Sequence, residues 1–593
     1  MSRRAHFLRP NHATRYPRRI VCLDTESHIE AVQGSEWHSF RVGCWSFDEI
    51  DNATLEPFRS FTGTSHSPEQ FWADIAGLAR SKAQLAVFAL NVGYDVRISK
   101  ALEVLPALGW TLTQYSIDGR HMWLRFAGPS GRSIVIRDLF SFVPASLETI
   151  GDALGMAKAP LPEQGAPLVD WVNRCQVDVQ ITRRAVLDVL QWLERSDMGT
   201  FRLTGAAQSQ AAYRHRFMGS HRLLVHEDYE ALALEREAAF TGRCEVWRHG
   251  EFRSKLTEWD FRAAYARIGL DCELPVELQA RWAHPSVALV LAHTENGKRT
   301  LSRCTVTTEV PVVPCRHEGR ICWPVGTFDT LLWDNELRLA LDAGATVDLG
   351  ETLVYRADAA LAEWARWILN VLEGELELPA LMRLMVKSWS RALIGRFALS
   401  FPLWRRWATA PHSSLEWVPF VDEDGSEGVL LHVGHDVFEK VGTVEPEQTI
   451  PAITSFVTAE ARCRLWHVMI VAGLENVVYC DTDSVIVTPV GSKRLQAAEI
   501  DGLRVKAVYR EARVLGPRAL VLESRPRVSG MPKNSRRKRR DEYDGETWET
   551  LVGSIQSGRP ANVVVSRRSF RLRESDKRRK HLGNGATEAY RVG

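Results

Sequence analysis

The sequence predicts a multidomain protein of the α/β (α+β) class, and three observations point there. Its 593 residues are enough for roughly three or four domains of about 150 residues each. Residues 19–200 interleave short apolar, strand-like runs with helical periodicity. From Trp259 onward the same mixture returns around a long amphipathic helix and a hairpin with a polar tip.

The elements follow in order. Arg19 to Ile50 reads as strands, an apolar run and then the alternation Phe40-Arg-Val-Gly-Cys-Trp-Ser-Phe47. Gln84 to Leu90 and Ser133 to Asp138 are short apolar runs suited to buried strands. Val177 to Arg195 carries apolar residues at helical spacing, with Asp178 at its start. Phe201 to Glu258 reads as a connector with helical parts. Pro379 to Ala398 is amphipathic, with Leu381, Leu384, Met385, Trp389, Ala392, Leu393 and Phe397 on one side. Asn476 to Val487 places two β-rich arms around a polar turn. Beyond residue 500 the chain is Arg-rich and irregular. There is no internal repeat and no long low-complexity tract.

Hydrophobic residues make up 45% and charged residues 25%, the balance of an ordinary globular protein rather than of a disordered chain. No segment approaches the ~20 apolar residues of a membrane span, so no membrane partner is expected. Met1 to Arg19 is basic but lacks the apolar stretch of a signal peptide, which points to a cytoplasmic protein. The ten cysteines form no CxxC and no zinc-spaced cluster; free thiols in a reducing compartment are expected. Net charge is only +2, yet basic residues concentrate. They crowd Arg3 to Arg19, Lys533 to Arg540 and Arg567 to Lys580. Each run suits a phosphate backbone, and each suits a solvated tail as well.

Two carboxylate sets carry the chemistry. In Val21-Cys-Leu-Asp-Thr-Glu26, Asp24 and Glu26 stand at i and i+2, which on a strand face the same side. Side by side they repel unless a cation lies between them, so the pair is a candidate Mg²⁺ site; a polar strand end is the plainer reading. Asn91-Val-Gly-Tyr94-Asp95 places a further carboxylate after an apolar run, and Asp178 supplies a fourth. In order and type these resemble the DEDD-type 3′→5′ exonucleases. That resemblance implies that Asp24, Glu26, Asp95 and Asp178 hold two metal ions, or support the residues that do, and that Asn91 touches DNA. The family has Tyr four residues before the last Asp, where this chain has Arg174.

The second set is Tyr479-Cys-Asp481-Thr-Asp483-Ser484, carboxylates at i and i+2 around a turn. With its β flanks it resembles the metal-binding hairpin of family B DNA polymerases. Ser455 to Arg462 leads into it as a helix does in that family. Trp259-Asp260-Phe-Arg-Ala-Ala-Tyr265 is similar to the family's DxxSLYP. This implies metal binding by Asp260 and Asp483, assistance from Asp481, and a gate at Tyr265 against a ribose 2′-OH. Lys387 and Gly395 match the spacing of KxxxNSxYG, with Arg391, Ala392 and Ile394 in place of Asn, Ser and Tyr. Arg383, Lys387 and Arg391 fall at i, i+4 and i+8, a basic stripe suited to a triphosphate. The change at Ile394 removes an aromatic platform for the nascent base pair. Phe240-Thr-Gly242-Arg243 stands where small family members have YxGG, which touches template DNA. Arg518-Ala-Leu520 stands near their KxY, which steadies the primer.

The resemblance runs from Val21 to about Lys533 and is nearest to the compact polymerases of phages and linear plasmids. It implies an RNase H-like 3′→5′ exonuclease domain followed by a right-hand palm, fingers and thumb. The expected division is 1–200 exonuclease, 201–258 connector, 259–500 palm and fingers with insertions, and 501–593 thumb and basic C-terminal region. Thr409 to Pro446 is a candidate insertion. The implied activity is template-directed DNA synthesis with proofreading, using two Mg²⁺ per site with Mn²⁺ as a substitute. The implied partners are primer-template DNA, dNTPs and, for a protein-primed member, a terminal protein. The replicon would be a phage, plasmid or mobile element, with the host cytoplasm as location. Two rivals remain: a DNA-processing 3′→5′ exonuclease with a degenerate polymerase half, and a basic DNA-binding scaffold.

Overall fold

The computed structural model describes residues 3–32, 35–116, 122–421, 425, 427–549, 553, 563–583 and 585–593. Its first large unit is a ten-stranded mixed sheet. At the centre, Arg19–Val32 runs antiparallel to Ser35–Ile50 and parallel to Gln84–Ala89, which is parallel to Ser133–Asp138. The first half of the central strand (Arg-Ile-Val-Cys-Leu) is buried on both faces, which is why it reads as a continuous apolar run.

The helix Leu168–Arg195 packs on this sheet along Trp171, Cys175, Asp178, Thr182, Val186 and Leu193. It starts nine residues earlier than the apolar periodicity suggested, directly after Pro167. Asp178 therefore lies in its third turn rather than at its start. Pro160, Pro162, Gly165 and Pro167 keep the preceding segment out of the helix, and proline is tolerated only at the entrance.

The second unit is a five-stranded antiparallel sheet in the order Cys244–Val246, Val477–Asp481, Ser484–Val487, Leu256–Phe261 and Leu503–Tyr509. The helices Ala380–Phe397 and Pro451–Ala472 belong to the cores behind it; Met385, Trp389, Leu393, Ile453 and Phe456 join a buried cluster that also holds Ile181 and Leu190 of the N-terminal region. Between Asp260 and Lys387 the chain inserts four strands of another sheet, Leu274–Trp282, Lys298–Thr308, Val325–Trp333 and Thr346–Asp358, completed by Arg591–Val592. Between Lys387 and Asp481 it inserts a long hairpin, Phe401–Val421 with Glu427–Val444. The candidate insertion Thr409 to Pro446 falls on this hairpin, except that residues 422–424 and 426 lie outside the described residues.

The chain beyond residue 500 is not irregular. Leu503–Tyr509 joins the second sheet, and Ala512–Gly516, Ala519–Leu522 and Arg525–Val528 form a further sheet with Gly250–Phe252. Arg536–Arg539, Glu542–Trp548 and Val563–Arg571 extend the N-terminal sheet beyond Ser35–Ile50. Arginines on the exposed faces of these strands dilute the apolar signal that marks a strand in sequence. The basic run Lys533 to Arg540 thus contributes an edge strand, where like charges discourage further pairing. All ten cysteines are free. Among the described residues, no helix is long and apolar enough to cross a membrane.

Two candidate active sites

Asp260 lies near the end of its strand, opposite Ser484 on one side and Arg504 on the other. The neighbouring hairpin turns through Thr482, whose φ is +61°. The Asp483 amide donates to the Asp481 carbonyl at 2.7 Å, closing a three-residue turn in a region that non-glycine residues rarely occupy. Two long-range bonds hold it: the Thr482 amide donates to the Arg243 carbonyl at 2.7 Å, and the Phe261 amide to the Asp483 carbonyl at 3.0 Å. Ala263, three residues after Asp260, also has positive φ, 52°.

Asp260 and Asp483 face one cavity of about 1090 Å³. Burial first, and then repulsion from Asp260, pushes the Asp483 carboxyl up to about 6. A divalent cation between the two would relieve that repulsion, so the residues fit one. Asp481 is already engaged: Thr482 Oγ1 donates to it at 3.0 Å, the Tyr479 hydroxyl donates at 3.3 Å, and Arg518 Nε lies 3.5 Å away.

Arg383, Lys387 and Arg391 are exposed along one face of their helix and line the same cavity, as does half-buried Tyr265. Burial, and next the Asp483 carboxylate, raises the Tyr265 phenol. Thr149 and Ala153 of the N-terminal region close another side. Ile394 is only 1% exposed and packs in the core instead.

Sequence reasoning missed Arg504 and Lys506. Arg504 Nε lies 3.2 Å from Asp260, while Lys506 and Arg527 ion-pair with Glu258, which is almost wholly buried. The i, i+2 spacing of Arg504 and Lys506 on a strand was the available signal.

Phe240 is a correction. Its ring is buried, with the Arg316 and Arg462 guanidiniums over it, so it presents no face to DNA. Gly242, half-buried, packs on the hairpin: a Cβ there would lie 2.6 Å from Thr482 Oγ1.

The first carboxylate set forms the second site. Asp24 and Glu26 share a strand face, and the helix brings in Asp178 so that ligand oxygens of all three lie within 4.8 Å of one another. Among the described residues this is the one cluster of three such ligands. Asp95 stands at its edge, accepting from Thr25 Oγ1 at 2.7 Å. Burial pushes Asp95 up to about 7 and Glu26 up to about 7. Asp24 is raised by burial and then by repulsion from Asp95, Asp178 and Glu26. Asp178 Oδ1 is buried with no hydrogen-bond partner. Crowded, desolvated carboxylates with a spare buried oxygen are the donor set of a divalent cation.

Two cations already lean on this cluster. Arg174 Nε lies 2.8 Å from Glu26 and its Nη2 3.6 Å from Asp178; Lys158 Nζ lies 3.4 Å from Asp178. Lys158 gave no sequence signal, being an isolated lysine in a loop. Asn91 precedes the helix Val92–Ile98 and is exposed, with no side-chain capping bond.

No protein-family model matches the sequence, and no curated protein matches it. Solved structures do. Phi29 DNA polymerase complexed with single-stranded DNA aligns over 94% of this chain and 100% of its own, with a TM-score of 0.64 at 14% identity. Phi29 DNA polymerase complexed with primer-template DNA and incoming nucleotide substrates aligns over 95% and 100%, with a TM-score of 0.63 at 13% identity. Over nearly its whole length, then, the chain has the fold of Phi29 DNA polymerase.

Proposed function

We propose that this protein is a template-directed DNA polymerase with its own 3′→5′ proofreading exonuclease. One observation carries the reading: Asp260, near the end of its strand, and Asp483, in the turn of the neighbouring antiparallel hairpin, face a cavity of about 1090 Å³ that Arg383, Lys387 and Arg391 also line. Carboxylates for metal and a row of cations for phosphate are the two needs of nucleotidyl transfer. When bound, Mg²⁺ (or Mn²⁺) at Asp260 and Asp483 would activate a primer 3′-OH and neutralise the triphosphate, and at Asp24, Glu26 and Asp178 would form the hydroxide that cuts a mismatched end.

The chain's own residues do the rest. Lys387, with Arg383 and Arg391, binds the triphosphate; Tyr265 excludes a 2′-OH; Asp481 positions Arg518 toward the primer. Asp95 holds Thr25, the residue between the two strand ligands, in place. Asn91 is placed to meet the DNA strand. We assign residues 1–200 to the exonuclease, 201–258 to a connector, 259–500 to palm and fingers with insertions, and 501–593 to thumb and C-terminal region. Primer-template DNA and dNTPs are the partners. Phi29 DNA polymerase, which has this fold, has been solved in complex with primer-template DNA and incoming nucleotide substrates, which supports that choice.

Protein priming is a narrower reading, favoured by the sheet inserted at Leu274–Asp358 and the hairpin at Phe401–Val444. Transfer of a deoxynucleotide to a partner protein's hydroxyl tests it. The main reading is tested by extension of a DNA primer with Mg²⁺ and dNTPs, beside 3′-end degradation without dNTPs. Degradation without any extension would favour the rival, a processing exonuclease with a degenerate polymerase half.

A further inference from the structure

Trp548 belongs to none of the buried clusters and is 43% exposed, yet it is held in place. It ends the strand Glu542–Trp548, paired opposite Val565. The strand Val563–Arg571 pairs in turn with Ser35–Ile50, Val563 opposite His38. Next to Trp548, the Glu549 carbonyl accepts from buried Arg97 Nη1 at 2.6 Å, and Arg97 lies on the short helix that carries Asp95. A residue more than 500 positions from Asp24 is thereby pinned to the helix that carries Asp95.

What Trp548 meets there is Tyr94. Their ring centroids are 5.7 Å apart at 62°. Tyr94 precedes Asp95, and its hydroxyl donates to Ser27 Oγ at 2.8 Å, one residue beyond Glu26. His38 holds the other side of Tyr94, with its Nδ1 3.0 Å from the hydroxyl and its ring edge-on. Tyr94 is thus locked by two hydrogen bonds, while Trp548 keeps much of its surface open. A large aromatic surface left half open, on rigid supports, is the platform on which an unpaired base stacks.

We propose that Trp548 is a substrate-binding residue of the exonuclease site, forming with Tyr94 an aromatic notch that receives the unpaired base at a primer's 3′ end. This rests on the exonuclease reading of Asp24, Glu26, Asp95 and Asp178. It assigns to the C-terminal region a part in choosing which ends are cut. A paired terminal base, stacked in its duplex, cannot enter the notch; a frayed or mismatched base can.

The test uses the full-length protein and single-stranded oligonucleotides, with Mg²⁺ and no dNTPs. Trp548→Ala should raise KM about tenfold while kcat stays within about twofold, the scale expected for losing one base–aromatic stack. Trp548→Phe should restore most of the loss. On an oligonucleotide with an abasic 3′-terminal nucleotide, wild type and Trp548→Ala should converge. In EDTA, a 3′-terminal 2-aminopurine should be quenched on binding by wild type and much less by Trp548→Ala at equal melting temperature. An unchanged KM, a loss confined to kcat, or an equal loss on the abasic end overturns the proposal. If Trp548→Ala does not fold, indifference of the wild-type enzyme to the terminal base overturns it without a variant. A wild-type protein that degrades no 3′ end sinks the exonuclease reading itself, a different outcome from degradation indifferent to Trp548.

Discussion

Gly242 and Thr482 touch so closely that a Cβ on Gly242 would stand 2.6 Å from Thr482 Oγ1 and 2.8 Å from its Cβ. Thr482 is the turn residue between Asp481 and Asp483, and it is short, branched and bonded to the Arg243 carbonyl, so it cannot swing aside. Gly242→Ala should therefore displace the hairpin turn that carries Asp481 and Asp483. The expected outcome is a loss of about 1–3 kcal/mol in stability from overpacking. Primer extension should fall by up to about a hundredfold, the scale of a 1 Å misplacement, with 3′-end degradation retained. Extension rates and melting curves for the variant check this.

The two carboxylate sets belong to different sheets, which predicts separable activities. Asp483→Asn should lower extension by at least about a thousandfold and leave degradation within about twofold, since metal-ligand loss removes several kcal/mol of charge stabilisation. Asp24→Ala should do the reverse. Loss of both activities in either variant would show that one site serves both.

Arg174 spans Glu26 and Asp178 where a cation would sit. It competes with metal for those oxygens, so Arg174→Tyr should lower the Mg²⁺ concentration for half-maximal degradation by about tenfold, the equivalent of ~1.4 kcal/mol. Mn²⁺ binding to the variant, followed by electron paramagnetic resonance, gives a readout independent of turnover. An unchanged metal requirement would show that the ion pairs do not compete.

His249 stacks on His581 at 4.0 Å, fastening the C-terminal segment to the strand Gly250–Phe252 region. Burial, and then the neighbouring His581, lowers its imidazole to about 4. Below pH 6.5 the unfolded chain protonates this ring while the folded protein does not. Its contribution is therefore fully present above the unfolded value and is lost as pH falls from about 6.5 to 4. The loss should amount to roughly 1–3 kcal/mol. His249→Phe should flatten that part of the pH–stability curve, read by thermal melting between pH 4 and 7.

Much of both sites was readable from local pattern. A strand places i and i+2 on one face, so Asp24 with Glu26 can be paired on paper, and a tight turn does the same for Asp481 with Asp483. The basic stripe of Arg383, Lys387 and Arg391 follows from helical periodicity, because spacing of four keeps one face. Phe240 was misread because an aromatic near a glycine looks the same whether its ring faces DNA or the core. The strands after residue 500 were missed because their exposed arginines hide the alternation.

By itself, then, the sequence determined which carboxylates and cations exist in which local pairs, and that strands and helices mix in two successive units. Only the tertiary structure decided which pairs meet: Asp178 with Asp24 and Glu26, Asp260 beside Asp483, Arg174 against the first cluster, Trp548 against Tyr94. Local periodicity is set by bond geometry within a few residues. Contacts between segments hundreds of residues apart are set by strand pairing and core packing, which no window of the chain contains.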